Sequence, residues 1–342
     1  MRNLKVYFFI IFAVVSINGF AQQDPQFTQY MYTLLPFNPG YAGSGGICAT
    51  LNFRQQWAGF TETDPNSDID NPTTYKVAPR DILFSIHAPI RALHGGLGLS
   101  FYNDAYGHQN DIAAKLNYAF RLNIGGGTLG IGLGVDFLSR KIRNEYWGGR
   151  SGDQTIINEV QGKNDMYVDV DFGLYYSMPD KFYVGVSGTQ LLSAIGGNKV
   201  DQKPSRHIYV LGGYNFVIPS NPNWQLKPSG LIKTDFKAFQ MDLTLLADWN
   251  NSLLWFGASY RMVDCIALLV GTRPFANSSS AIRGLEIGVS YDMNLTSKIG
   301  QEGRTFGGFE FMVKYCFNIV KTPTTYGYKN TKLLGNRPIE YR

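Results

Sequence analysis

Histidine and cysteine are scarce in this chain, with four and three among 342 residues. His87, His94, His108 and His207 form no H-E-x-x-H pattern, and no serine stands in a nucleophile elbow. A serine and a histidine joined from distant strands would leave no local trace. Nothing in the sequence favours that arrangement, so neither an enzyme nor a cofactor is expected. Cys48, Cys265 and Cys316 lie far apart, without CxxC or metal-ligand spacing. Their odd number excludes a complete disulfide framework. One pair could form, but free thiols, buried or facing the interior of a barrel, are the expectation. Charge of either sign is thin as well, with 31 basic and 26 acidic residues for a net +5. That balance is too mild to suggest nucleic acid as a partner.

Long apolar runs are also missing. A transmembrane helix needs roughly 20 apolar residues, and the longest such stretch, Val6 to Ile17, has about a dozen. Arg2 and Lys5 precede it, and Gly19 and Ala21 supply small residues where a signal peptidase reads. Residues 1–21 therefore read as an export signal cleaved after Ala21. Losing Arg2 and Lys5 lowers the count to 29 − 26 = +3. About 320 residues remain, more than one compact core usually holds.

Alternation with period two is abundant. "GTLGIGLGVDF" sets Leu129, Ile131, Leu133, Val135 and Phe137 on one face, with Gly130, Gly132, Gly134 and Asp136 on the other. "YVDVDFGLYY", "GLEIGVSYD" and "FEFMVKYCF" repeat the pattern. Such segments are half-buried strands. Many reach the ten or so residues a tilted strand needs to cross a bilayer, beyond the usual soluble length. Their second face is small or charged, which suits a wet lumen. Tyr102, Tyr106, Tyr176, Phe182, Trp224, Trp249 and Tyr260 lie towards strand ends, where interfacial girdles form.

The pattern predicts about fourteen strands, beginning near Ile47, Asp81, Gly95, Asn110, Gly127, Tyr167, Lys181, Arg206, Asn223, Phe239, Ser252, Cys265, Ala281 and Arg304. Connections after even strands are brief, as in "RALH", "GGG" and "MPDK". Long ones follow odd strands, at 59–80, 140–166, 191–205 and 292–303, although those after strands nine and eleven are short. An all-β transmembrane antiparallel barrel over 47–318 accounts for this, since only closure lets strands stand in lipid. Val313, Tyr315 and Phe317 end the last strand with alternate apolar and aromatic residues. Residues 319–342 are polar, basic and proline-punctuated, which predicts a periplasmic tail.

"QDPQFTQYMYTLLPFNPGYAGS", ahead of the first strand, is apolar and carries one charge, yet Pro25, Pro36 and Pro39 bar a long helix or central strand. Together with "FRQQWAGF" at 53–60 and "GGLGLSFYNDAYG" at 95–107, it resembles the PorP/SprF family of the type IX secretion system of Bacteroidetes. The leader reads NPGYAG where the family pattern expects NPAYAG. The resemblance implies an outer-membrane protein that supports export or surface display of a secreted adhesin with a C-terminal sorting domain, gliding adhesins included. It also implies other secretion components as partners. A periplasmic peptidoglycan-binding anchor is left open among these. A passive channel or hydrophobic-solute transporter is the competing expectation.

Residues 22–46 are expected to pack as an irregular segment at the periplasmic mouth or in the lumen. Phe27, Tyr30, Tyr32, Phe37, Asn38, Pro39 and Tyr41 are its candidate plug or partner-binding residues. Asn38-Pro39-Gly40 is a turn by composition. Arg54, Lys115, Arg121, Asp169, Asp171, Glu286, Glu310 and Lys314 are candidate lumen ions, expected to pair with one another across strands. Trp57 is a candidate girdle aromatic. "DPNSDIDN" spaces Asp64, Asn66, Asp68 and Asp70 like the start of a calcium loop. Ile69 stands where that loop needs glycine and Tyr75 where it needs glutamate, so no metal site is expected. The glycine run at 125–134 lacks the Lys-Ser/Thr of a phosphate loop and reads as strand and turn.

Overall fold

A computed structural model describes residues 25–63, 70, 74–107, 109–142, 164–192, 195–196, 204–250, 252–278, 281–295 and 305–317. The expected signal, the tail and the calcium-like spacing at 64–69 lie outside them.

Fourteen long strands form the wall. In chain order they are β1 (Ile47–Gln55), β2 (Arg80–Ile90), β3 (Gly95–Tyr106), β4 (Gln109–Ile124), β5 (Gly127–Ile142), β6 (Asn164–Met178), β7 (Phe182–Thr189), β8 (His207–Tyr214), β9 (Trp224–Thr234), β10 (Phe239–Trp249), β11 (Leu254–Arg261), β12 (Cys265–Thr272), β13 (Leu285–Asn294) and β14 (Gly308–Phe317). Each pairs antiparallel with its sequence neighbour, and β1 pairs with β14, so the sheet closes on itself. Closure leaves no strand edge, the condition for β-structure in lipid. The expected strand starts fall within four residues of the observed ones, with the largest offsets at β13 and β14.

Burial runs opposite to that of a soluble protein. In β5 the side chains of Leu133, Val135 and Phe137 are exposed on the outside, while Asp136 between them and Arg140 beyond them are buried. β6 repeats this with Val168 and Phe172 outside and Asp169 and Asp171 inside. The period of two thus sorts apolar side chains to lipid and polar ones to the lumen. Trp249 and Tyr260 face outward near strand ends as girdle residues should, but Tyr102 is buried within the lumen. Proximity to a strand end does not reveal which face a residue occupies; parity does.

The expectation of free thiols is overturned at two positions. Cys48 and Cys316 stand opposite each other in the β1–β14 register and form a disulfide, joining residues 268 apart in sequence. Only closure of the first strand on the last brings them together. Cys265 is a buried free thiol.

Turns at one end of the barrel are mostly short, such as Gly125-Gly126 between β4 and β5, while the longer connections leave from the other. The short-turn end, where β1 begins and β14 ends, is the periplasmic one.

Two measurements check this arrangement. Leu133→Arg should destabilise the folded barrel by about 2–4 kcal/mol in bilayer refolding, whereas Leu133→Phe should change little. Non-reducing peptide mapping should recover Cys48 linked to Cys316, with Cys265 alkylated only after unfolding.

Candidate functional site

The leader lies inside the barrel along its length, not merely at the periplasmic mouth. Two single-turn 3-10 helices, Tyr30–Tyr32 and Pro39–Tyr41, shape an otherwise irregular path. Phe27, Tyr30, Leu34 and Phe37 are buried against Tyr102, Tyr167, Tyr175, Tyr209 and Leu231 of the wall. Each such side chain contributes about 1.5–3 kcal/mol on burial. Among the expected plug residues, Tyr32 stacks on the fully buried Trp255 with ring centroids 5.2 Å apart. Tyr41 sits edge-on to His87 and Tyr175 at 5.0 and 5.2 Å.

Asn38 fixes the central turn. Its Oδ1 accepts from the Gly40 amide at 2.8 Å, and its Nδ2 donates to the Leu174 carbonyl at 2.9 Å. Pro39 follows as the first helical residue, where its missing N–H costs nothing. The wall glycines of β5 explain how the turn fits. A Cβ on Gly132 would lie 2.2 Å from the Gly40 nitrogen, and one on Gly130 would lie 2.1 Å from the Gly40 oxygen. Backbone meets backbone there, which only glycine allows. Gly40 itself is tight: its Cβ would stand 2.9 Å from Gly130 O and from the Tyr175 nitrogen.

An ion cluster grips the start of the leader. Glu310, wholly buried, accepts from the Thr28 and Gln29 amides at 2.6 and 3.0 Å and from Asn52 Nδ2 at 3.2 Å. Arg54 pairs with Asp292 at 2.8 Å and donates to the Gln26 carbonyl. Thr28 Oγ1 donates to Asp292 at 2.9 Å and accepts from Arg261 at 3.3 Å. Arg261 also meets Asp242 at 3.3 Å. Two arginines, three carboxylates and leader backbone thus neutralise one another, as buried charges must.

The remaining lumen ions divide between wall and leader. Lys115 pairs with Asp171 at 3.1 Å and Asp136 at 3.2 Å. Asp169 accepts from the Val170 and Leu192 amides, each at 2.8 Å, and Glu286 pairs with Arg273 at 3.1 Å. Arg121 donates to the Ala42 carbonyl at 3.3 Å, and the Lys314 ammonium lies 5.7 Å from the Tyr32 ring centre. Among the eight expected lumen ions, Lys115 and Asp171 pair with each other, whereas Arg54, Arg121, Glu310 and Lys314 address the leader. Trp57 lies at the extracellular end, edge-on to Phe60 at 6.2 Å.

Sequence reasoning missed Thr28, Asp242, Trp255, Arg261 and Asp292 as members of this site. Parity marks most of them as inward-facing, but it cannot say which meet the leader. Among the described residues, only narrow gaps of about water size remain beside the plug, one lined by Phe27 and Phe37 and one by Pro25, Asp104 and His207.

A family model described as "Type IX secretion system membrane protein PorP/SprF" matches residues 19–315. The chain belongs to the PorP/SprF family. As a member it is an outer-membrane component of type IX secretion, and other components of that system are its partners. No curated protein matches it. Solved structures similar to this PorP/SprF chain include the P. putida toluene transporter TodX, at TM-score 0.44 and 11% identity, covering 81% of this chain and 92% of that one. A Pseudomonas aeruginosa FadL homologue gives TM-score 0.39 at 12% identity, covering 80% and 91%. These likenesses carry no functional argument.

Arg54→Ala should strip Asp292 of its nearer guanidinium, leaving only Arg261 at 3.8 Å, release the Gln26 carbonyl, and cost about 3–5 kcal/mol. Hydrogen exchange should then accelerate at the Thr28 and Gln29 amides well before the β5 and β6 amides. Equal protection in variant and wild type would argue against the clamp.

Proposed function

We propose that this PorP/SprF protein binds a secreted adhesin bearing a C-terminal sorting domain and supports its export or surface display, acting by binding rather than by catalysis. The occupied lumen is the observation that carries this reading. A solute channel or hydrophobic-solute transporter needs a path through the barrel, and here Phe27, Tyr30, Leu34 and Phe37 fill the interior. The leader's contacts with the wall are numerous and complementary, from the glycine contact at Gly132 to the carboxylate clamp at Glu310. A stably filled barrel is suited to offering fixed surfaces to other proteins. The resemblance of "QYM…NPGYAGS" and "RQQW" to the family patterns supports the same reading, because both stretches build the plug and its clamp.

Deleting the gene should remove one large adhesin from the cell surface, read by surface proteomics, while other exported proteins remain. In planar bilayers the wild-type protein should show no steady conductance, whereas Gly132→Leu, which forces the leader off β5, should raise it. Retention of every surface protein in the deletion strain, or open-channel conductance of the wild type, would favour the transporter instead.

A further inference from the structure

The first part of the leader lies along the inner face of the last strand. Three successive lumen-facing residues of β14, Glu310, Met312 and Lys314, each meet it. Glu310 accepts from the Thr28 and Gln29 amides, and its own carbonyl accepts from Gln29 Nε2 at 3.5 Å. Met312 belongs to the buried cluster on which Met31 and Tyr32 pack. The Lys314 ammonium stands over the Tyr32 ring. The same stretch straddles the seam between the first strand and the last. Asn52 of β1 donates to the Glu310 carboxylate, and Arg54 of β1 joins Asp292 of β13 to the Gln26 carbonyl. The later part of the leader is held elsewhere, with Asn38 and Gly40 seated on β5, β6 and β7.

We infer that the leader has a second role, as an internal template for barrel closure: Thr28–Tyr32 captures β14 and delivers it, in register, to β1. Without the leader, bringing Cys48 to Cys316 closes a loop of 268 residues. Once Thr28 holds Glu310, 20 residues separate Thr28 from Cys48 and six separate Glu310 from Cys316, a loop of 26. The local concentration of a tethered end falls roughly as the −3/2 power of tether length, so capture favours the meeting of the two strands about thirtyfold. Register is chosen in the same step. A slip of β14 by one residue would turn Glu310 to lipid and set Phe311 against the leader. The Thr28 and Gln29 amides, which need a carboxylate, hold only the register that faces Glu310 inward. This role concerns folding and stands apart from the proposed adhesin.

Refolding of the reduced, urea-unfolded chain into phosphatidylcholine vesicles tests it, with glutathione disulfide taking the two electrons of the Cys48 and Cys316 thiols. Peptide mapping of alkylated samples times the Cys48–Cys316 bond in the fraction whose gel migration is heat-modifiable, the folded one. Thr28→Pro removes one amide that Glu310 accepts, and it should slow the bond towards the thirtyfold limit. An insert of about 20 glycine and serine residues between Gly45 and Gly46 changes only the tether. A Cβ at either glycine would meet nothing within 4 Å, so the site has room. The insert lies outside the loop from Cys48 to Cys316, and only a leader that takes part in closure makes its length matter. It should slow the bond about twofold. An unchanged rate for the insert overturns the inference whatever Thr28→Pro does. So does a Thr28→Pro chain that closes at the wild-type rate and merely unfolds faster. Should Thr28→Pro fail to fold, the insert decides alone.

Discussion

In hydrocarbon no water can satisfy a backbone N–H or C=O, so every strand must find a partner on both sides. That constraint determines this molecule. It forces β1 onto β14, turns a linear run of hairpins into a cylinder, and creates two faces with opposite solvents. Apolar side chains such as Leu133 and Phe311 stand outward in lipid, and the carboxylates of Asp171 and Glu310 are enclosed. The Cys48–Cys316 disulfide spans the seam that closure creates.

Enclosing charge raises a second requirement, because a carboxylate removed from bulk water must be paired or hydrogen-bonded. The wall meets part of it with Lys115 between Asp136 and Asp171. The leader meets another part with its backbone: the Thr28 and Gln29 amides are bonded by Glu310, and the Gln26 carbonyl is held by Arg54. A segment barred by three prolines from regular structure has backbone groups to spare, and a polar lumen has side chains that need them. Its aromatic residues then fill the space between. Plug and barrel are complementary for this physical reason, and the family motifs at the leader and at Arg54 are the two sides of one contact.

Much of the wall was legible from single residues. Strict alternation at Leu129–Phe137 assigned β5 and its faces without further information, and the same held for β6, β13 and β14. Tyr102 shows the limit: its place near a strand end suggested a girdle, yet its parity with Ser100 and Asp104 turns it inward. The partners of the lumen ions were less legible. Mutual pairing was expected, and the leader took several of them, because the expectation considered strands alone. The glycines of β5 were legible as strand glycines but not as the seat of the Asn38-Pro39-Gly40 turn.

The sequence by itself determined the strands, their faces, the membrane they inhabit and the family. Each follows from a period of two and from local motifs, which depend only on neighbours along the chain. The tertiary structure alone decided that Cys48 meets Cys316, that Arg261, Asp292 and Glu310 converge on Thr28 while Arg54 holds the Gln26 carbonyl, and that Gln26 meets Gln240 near the start of β10 while Ala42 meets Arg121 near the end of β4. The disulfide and the contacts of Thr28 with Arg261, Asp292 and Glu310 join residues more than two hundred positions apart, and closure of the cylinder is what brings them within bonding distance.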